Sequence, residues 1–273
     1  MLKLRLLTVI VLVPPLLAAL FVLPPAGVIP LFGIFVAAAA WEWAGLASLA
    51  GRARWGYVAL VLAAGAVLIV SALASRAVSH LVLGAASVWW VAALFALRAD
   101  AGIYHTVRGR LAAGLLTLVP AWVAVSVLHA GDARRPALIL FVLLLVAAAD
   151  SAAYAAGHAF GRHKLAPTIS PGKTIEGVVG GVLAVVLLAG IYGTMVWQFA
   201  PSTLGAWVVL AATAGLVSVI GDLSESKLKR IAGVKDSGKL LPGHGGVLDR
   251  IDALTAAAPV FAWGWLLFFD ARA

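Results

Sequence analysis

The chain has no cysteine, and only 11% of its 273 residues are charged. Without cysteine there is no disulfide framework, no thiolate metal site and no cysteine nucleophile. Charge this sparse, beside a hydrophobic share of 63%, excludes an ordinary soluble domain, whose apolar share is about 45–50%. No internal repeat of fixed length is visible either, which counts against an inverted-repeat transporter.

What fills the chain instead is a series of apolar runs of about 20 residues, the length that crosses a ~30 Å hydrocarbon core. We place nine, near 4–24, 27–47, 57–75, 80–97, 111–130, 136–156, 175–199, 203–222 and 253–269. The expected fold is therefore an all-α polytopic membrane protein with about nine transmembrane helices. Prolines 14, 15 and 24 and the spans that follow argue that the first run is a retained helix rather than a cleaved signal. Nine spans leave no room for a separate soluble domain. The chemistry must come from helix ends and from two polar segments, 157–174 and 223–252.

Basic residues set the orientation, because Lys/Arg-rich loops stay in the cytoplasm. With the N-terminus inside, 16 of the 20 Lys and Arg fall on the cytoplasmic side, leaving Arg76, Arg134, Arg135 and Arg272 outside. Both polar segments then face the cytoplasm. The net charge of +9 sits in juxtamembrane loops, so it points to anionic lipid headgroups and not to nucleic acid. Several of the ten tryptophans, among them Trp41, Trp43, Trp55, Trp89, Trp90, Trp263 and Trp265, stand near expected helix ends and suggest an interfacial belt.

Residues 1–135 read as structural helices. Their one intramembrane acid, Glu42, costs on the order of 2.5–3.5 kcal/mol at mid-helix and is expected to hydrogen-bond a neighbouring helix. Residues 136–273 carry the polar chemistry in 150–177 and 222–252. Asp150, Tyr154 and Gly157 share a helical face, and the small residues between them permit close helix packing. Asp150 reads equally as a packing residue or a site residue. Ser170-Pro171 is expected to open a turn before the next span. The tripeptide Gly172-Lys173-Thr174 is not a nucleotide P-loop, because Pro167 stands where that pattern needs glycine. Ser170, Lys173 and Thr174 at a helix start can still bind phosphate, or can form a plain cap with a lipid-facing lysine.

The densest polar block is SKLKRIAGVKDSGKLLPGHGGVLDRID, residues 226–252. Asp222 ends the eighth run with Ser226 at i+4. Lys227, Lys229 and Arg230 follow as a basic cluster, and Leu228, Ile231 and Val234 could form an apolar stripe on the membrane. Two turns, Lys235–Gly238 and Pro242–Gly246, lead to Asp249 and Asp252 on one face of the last helix. Asp222 and Asp249 come from separate helix ends and offer carboxylate oxygens to a hard cation such as Mg²⁺. The glycine turn between them offers backbone donors to an anion.

This block resembles the signature of the phosphatidate cytidylyltransferase (CDP-diacylglycerol synthase) family. The match rests on Ser226, Leu228, Lys229, Arg230, Lys235, Asp236, Gly238, Leu241, Pro242, His244, Gly245, Gly246, Val247, Asp249, Arg250, Ile251 and Asp252. A second family region resembles Ala153-Tyr154, Gly161, Ser170-Pro171, Lys173-Thr174 and Glu176-Gly177, with Gly172 a mild departure from a more usual lysine. The N-terminal half matches only in being apolar and in Trp41-Glu42-Trp43. The resemblance implies a Mg²⁺-dependent enzyme that converts CTP and phosphatidate to CDP-diacylglycerol and pyrophosphate. The basic-residue distribution puts this active site at the cytoplasmic surface of the inner membrane, and the high Ala, Gly and Arg content points to a bacterial source. The resemblance also implies catalytic roles for Lys229, Arg230, Lys235, Asp236, His244, Arg250 and Asp252. Ser170, Lys173, Thr174, Ser226, Lys227, Gly245 and Gly246 would bind substrate. Asp222 and Asp249 would hold the metal, alone or in a two-cation site. Membrane lipids are the surrounding partners, and Gly/Ala-rich helix faces leave a homodimer open. A CTP-dependent lipid-alcohol kinase and an ion-coupled transporter using Glu42, Asp150 and Asp222 are the competing readings.

Overall fold

The structure is a computed structural model that describes residues 2–98, 102–130 and 135–270, with side chains at residue 11 and from residue 13 onward. Arg134 and Arg272, and the side chains of Lys3 and Arg5, lie outside it. Nine long helices are present among the described residues: α1 (Leu2–Val22), α2 (Pro25–Leu46), α3 (Gly51–Ala74), α4 (Arg76–Arg98), α5 (Val107–His129), α6 (Arg135–Phe160), α7 (Ile175–Met195), α8 (Pro201–Ile231) and α9 (Leu248–Phe268). Eight of them, α2 to α9, are long and apolar enough to cross a membrane. Their outward faces carry large apolar side chains such as Val70, Leu81, Phe95 and Leu187, each at least 66% exposed. Such a surface is stable only against lipid. The protein is an all-α polytopic membrane protein.

Helix boundaries follow local chemistry. Pro25 and Pro201 sit at the first position of α2 and α8, where a missing N–H costs nothing. Gly233, at φ +71°, ends α8: the next amide, Val234 N–H, returns to the Lys229 carbonyl at 3.0 Å, closing the helix in a Schellman-type turn. At 31 residues, α8 is about 46 Å long and overruns the ~30 Å hydrocarbon core. Asp222 therefore does not end a helix, as the sequence suggested. It lies within one, about 32 Å from its start.

Three further expectations change. The segment after α6 is a small antiparallel hairpin, β1 (Lys164–Ala166) and β2 (Ser170–Thr174). Its turn falls at 167–169 and not at Ser170-Pro171, because Pro171 is tolerated in a two-stranded edge. The tryptophans mostly serve the core. Trp43, Trp89, Trp90 and Trp265 are buried, whereas Trp55 is 63% exposed; Trp43 donates to the Arg110 carbonyl at 2.8 Å, anchoring α2 to α5. Leu228 does not lie on the membrane: it is fully buried in the protein core, and only Val234 of the proposed stripe is exposed.

One continuous apolar core runs through both halves of the chain. At its centre Phe141 of α6, Trp207 of α8 and Phe261 of α9 meet with ring centroids 4.4–5.5 Å apart. Helix α9 packs on α4, α5 and α8, so residues from the first half reach the polar segment before α9. Helices α6 and α7 approach closely through small residues: a Cβ at Gly177 or Gly181 would stand 2.8 Å from the carbonyls of Ala153 or Ala149.

Candidate active site

The loop between α8 and α9 is organised by two carboxylates. Helix α9 begins without a capping side chain of its own, since Val247 occupies the N-cap. Glu42, from the end of α2 and only 1% exposed, performs that task. It accepts Val247 N–H at 3.1 Å, Leu248 N–H at 2.8 Å and the Ser237 hydroxyl at 3.0 Å. Free N–H groups and the positive helix end stabilise the buried charge. A Cβ at Gly238 or Gly246 would collide with the Glu42 carboxylate, which is the physical reason for glycine at both places. Asp249 completes the arrangement, accepting Lys229 Nζ at 2.6 Å, Gly246 N–H at 2.8 Å and Ser237 N–H at 3.0 Å.

The expectation for Gly245 and Gly246 was that their amides cradle substrate phosphate. The Gly246 amide instead donates to Asp249, and the Gly245 carbonyl accepts Leu241 N–H at 2.9 Å, with Gly245 at φ +85°. The loop is an anion nest, but the anions in it belong to the protein.

The basic cluster divides between faces of α8. Lys229 points inward, 2.5 Å from Glu225 and 2.6 Å from Asp249. Asp222 shares that side: its Oδ1 accepts the Ser226 hydroxyl at 3.2 Å, and its Oδ2 pairs with Lys173 at 2.5 Å. Lys227 and Arg230 face elsewhere. Lys227 caps the end of α4 through the carbonyls of Ala96 and Leu97, and Arg230 donates to the Ile169 carbonyl at 3.3 Å. Both line a separate 570 Å³ cavity with Arg98 and His105. Lys235 and Asp236 lie exposed on the loop surface.

The hairpin brings the other wall. Glu176 accepts the amides of Arg162 and His163 and contacts the His163 ring at 2.6 Å, fixing the hairpin to the start of α7. Thr174 is the N-cap of α7, accepting Gly177 N–H at 3.1 Å. Lys173 reaches Asp222 and does not face lipid. Ser170, Lys173, Thr174, Tyr154, Asp150 and Asp222 line a cavity of about 510 Å³. A second, largely apolar cavity of about 370 Å³ has Asp150, His244 and Arg250 at its polar end. Asp150 belongs to both.

Asp150, Asp222 and Asp252, on α6, α8 and α9, stand close enough for their charges to act on one another, with Lys173, Lys229 and Arg250 as counter-charges. Among the described residues no three carboxylates or imidazoles gather into a ready-made metal cage. Both oxygens of Asp249 are engaged by Lys229 and loop amides, and both oxygens of Asp222 by Ser226 and Lys173. Sequence reading gave Glu42 and Glu225 no part in the site. Glu42 had one signal, its being the lone intramembrane acid of the first half.

Comparison with known proteins identifies the family. The chain is 43% identical to a phosphatidate cytidylyltransferase of Pseudomonas aeruginosa over 97% of its own length and 99% of the relative. It is 36% identical to the enzyme of the same name from Haemophilus influenzae, over 96% and 98%. A phosphatidate cytidylyltransferase of Brucella suis is 46% identical over 55% of each chain. The model of the cytidylyltransferase family matches residues 3–268. The chain belongs to the cytidylyltransferase family.

Proposed function

We propose that the protein is a phosphatidate cytidylyltransferase, forming CDP-diacylglycerol and pyrophosphate from CTP and phosphatidate for phospholipid synthesis. The observation that carries this reading is the meeting of a polar cavity and an apolar one at Asp150. A water-soluble nucleotide and a membrane lipid can reach one point from opposite sides. A phosphate oxygen of phosphatidate attacks the α-phosphorus of CTP, and the bond to the bridging oxygen of the β-phosphate breaks, releasing pyrophosphate. The attacking phosphate is ionised at neutral pH, so positioning and charge neutralisation suffice.

Bound Mg²⁺ supplies charge neutralisation on the triphosphate. Asp222 would hold it, with Ser226 orienting the carboxylate, once Lys173 had turned from Asp222 to a phosphate. Arg250 and His244 receive the lipid phosphate. Lys229, held between Glu225 and Asp249, fixes α8 against α9. All nine helices cross a bacterial inner membrane with the N-terminus and both polar segments in the cytoplasm, as the 16-to-4 division of basic residues favours.

The test is incorporation of α-labelled and γ-labelled CTP into lipid by the purified chain with phosphatidate and Mg²⁺. We expect α-label in the lipid product, none from γ-label, loss on chelation, and a drop of about 100-fold in Asp222→Asn. γ-Label in lipid would instead identify a CTP-dependent kinase. Absence of either label would remove the reading.

A further inference from the structure

The apolar cavity runs deep into the membrane interior. At 370 Å³ it has the size of a small-ligand pocket, about 300–1,000 Å³. Asp150, His244 and Arg250 stand at one end; Phe32, Trp122 and Leu143 wall the other. Leu143 precedes Asp150 by seven residues on α6, so they are about 10 Å apart along the helix axis. Phe32 precedes Glu42 by ten residues on α2, about 15 Å. The cavity therefore extends from the level of the polar loop towards mid-bilayer.

Its deep wall is rigid. The Trp122 indole N–H donates to the Ile29 carbonyl at 2.9 Å. The ring is wedged between α2 and α3 at two glycines: a Cβ at Gly65 or Gly33 would stand 2.5 or 2.7 Å from ring carbons. With a hydrogen bond at one edge and backbone against the ring, the indole has nowhere to swing.

The polar end identifies the occupant. Arg250 supplies positive charge, and His244 Nδ1 is buried without a hydrogen-bond partner among the described residues. A neutral apolar molecule would use neither group. A nucleotide would leave its phosphates and sugar against hydrocarbon walls, which is costly. An anionic head on an apolar chain satisfies both ends. We propose that this cavity takes an acyl chain of the anionic lipid substrate, its phosphate at Arg250 and His244, and that Trp122 sets the chain length accepted. The proposal rests on the cytidylyltransferase reading and adds the determinant of lipid selectivity.

Two variants act in opposite directions. Trp122→Leu opens space towards Gly33 and Gly65, and Leu143→Trp fills the deep end. With phosphatidates of 12-carbon and 18-carbon chains, the kcat/KM ratio of long over short is expected to rise in the first. It is expected to fall about tenfold in the second, with KM for CTP unchanged in both. An unchanged ratio in both active variants would overturn the proposal. A binding measurement stands apart from turnover. Phosphatidate brominated near the chain terminus is expected to quench part of the tryptophan fluorescence, and that part should vanish in Trp122→Phe. Identical quenching in wild type and Trp122→Phe would overturn the proposal even if no CDP-lipid were formed, an outcome that would by itself reject the reaction instead.

Discussion

The two polar segments hold their charges in opposite ways. Between α8 and α9, the amides of Ser237, Gly246, Val247 and Leu248 all donate to Glu42 or Asp249, and Glu42 is buried. In the hairpin, Pro171 and Gly172 are exposed, and Lys173 holds a single ion pair over an open cavity. These four amides are satisfied internally, so substrate cannot add to them without displacing a carboxylate. The second segment has groups free to turn towards a ligand. One segment is scaffold carrying Arg250, His244 and Lys229 into place; the other is the adjustable wall. Preorganised charge is what phosphoryl chemistry needs on one side, and adaptable contacts suit nucleotide entry on the other.

The largest effect should come from breaking the scaffold at its remotest member. Glu42→Ala leaves two buried amides and a hydroxyl without partners, at about 1–3 kcal/mol for each such group. We expect a fall in thermal stability in detergent and collapse of amide-exchange protection across 237–248, with activity lost as a consequence. Retained protection in that window would mean that Asp249 alone holds the loop.

Glu42 also shows what the sequence made legible and what it did not. The helices were readable because hydropathy reports burial in lipid directly, and the signature from Ser226 to Asp252 stood out against an apolar background. The partner of Glu42 was not readable. Its contacts lie about 200 positions away, and hydrogen bonds between distant elements leave no period in a sequence. The same limit hid the division of Lys227 and Arg230 from Lys229. Three basic residues within one turn look like one cluster until the helix face of each is known. The hairpin was missed because two strands of three and five residues are too short to show alternation against a background of turns.

Two glycines provide a narrower comparison. At Gly246 an added Cβ meets the Glu42 carboxylate and the Ser237 hydroxyl, whereas at Gly172 it meets nothing within 4 Å. Gly246→Ala is expected to cost about 1–3 kcal/mol as an overpacked site and to reduce turnover. Gly172→Ala should stay within about 0.5 kcal/mol of wild type. Equal sensitivity at the two positions, measured by thermal unfolding of both variants, would show that the hairpin is as tightly held as the loop.

The smallest expected effect sharpens the role of one residue in the adjustable wall. The Thr174 hydroxyl oxygen accepts Gly177 N–H, and Gly157 packs so closely that a Cβ there would stand 2.9 Å from it. Acting as a helix cap, Thr174→Ala should lower stability by about 1 kcal/mol, and Thr174→Ser should restore most of it. Turnover at saturating CTP should be unchanged in both, because the neighbouring Lys173, not Thr174, faces Asp222 across the cavity. A raised KM for CTP in Thr174→Ala without loss of stability would transfer the hydroxyl from the scaffold to the nucleotide. The boundary between rigid and adaptable parts of the site would then lie one residue later, at the first turn of α7.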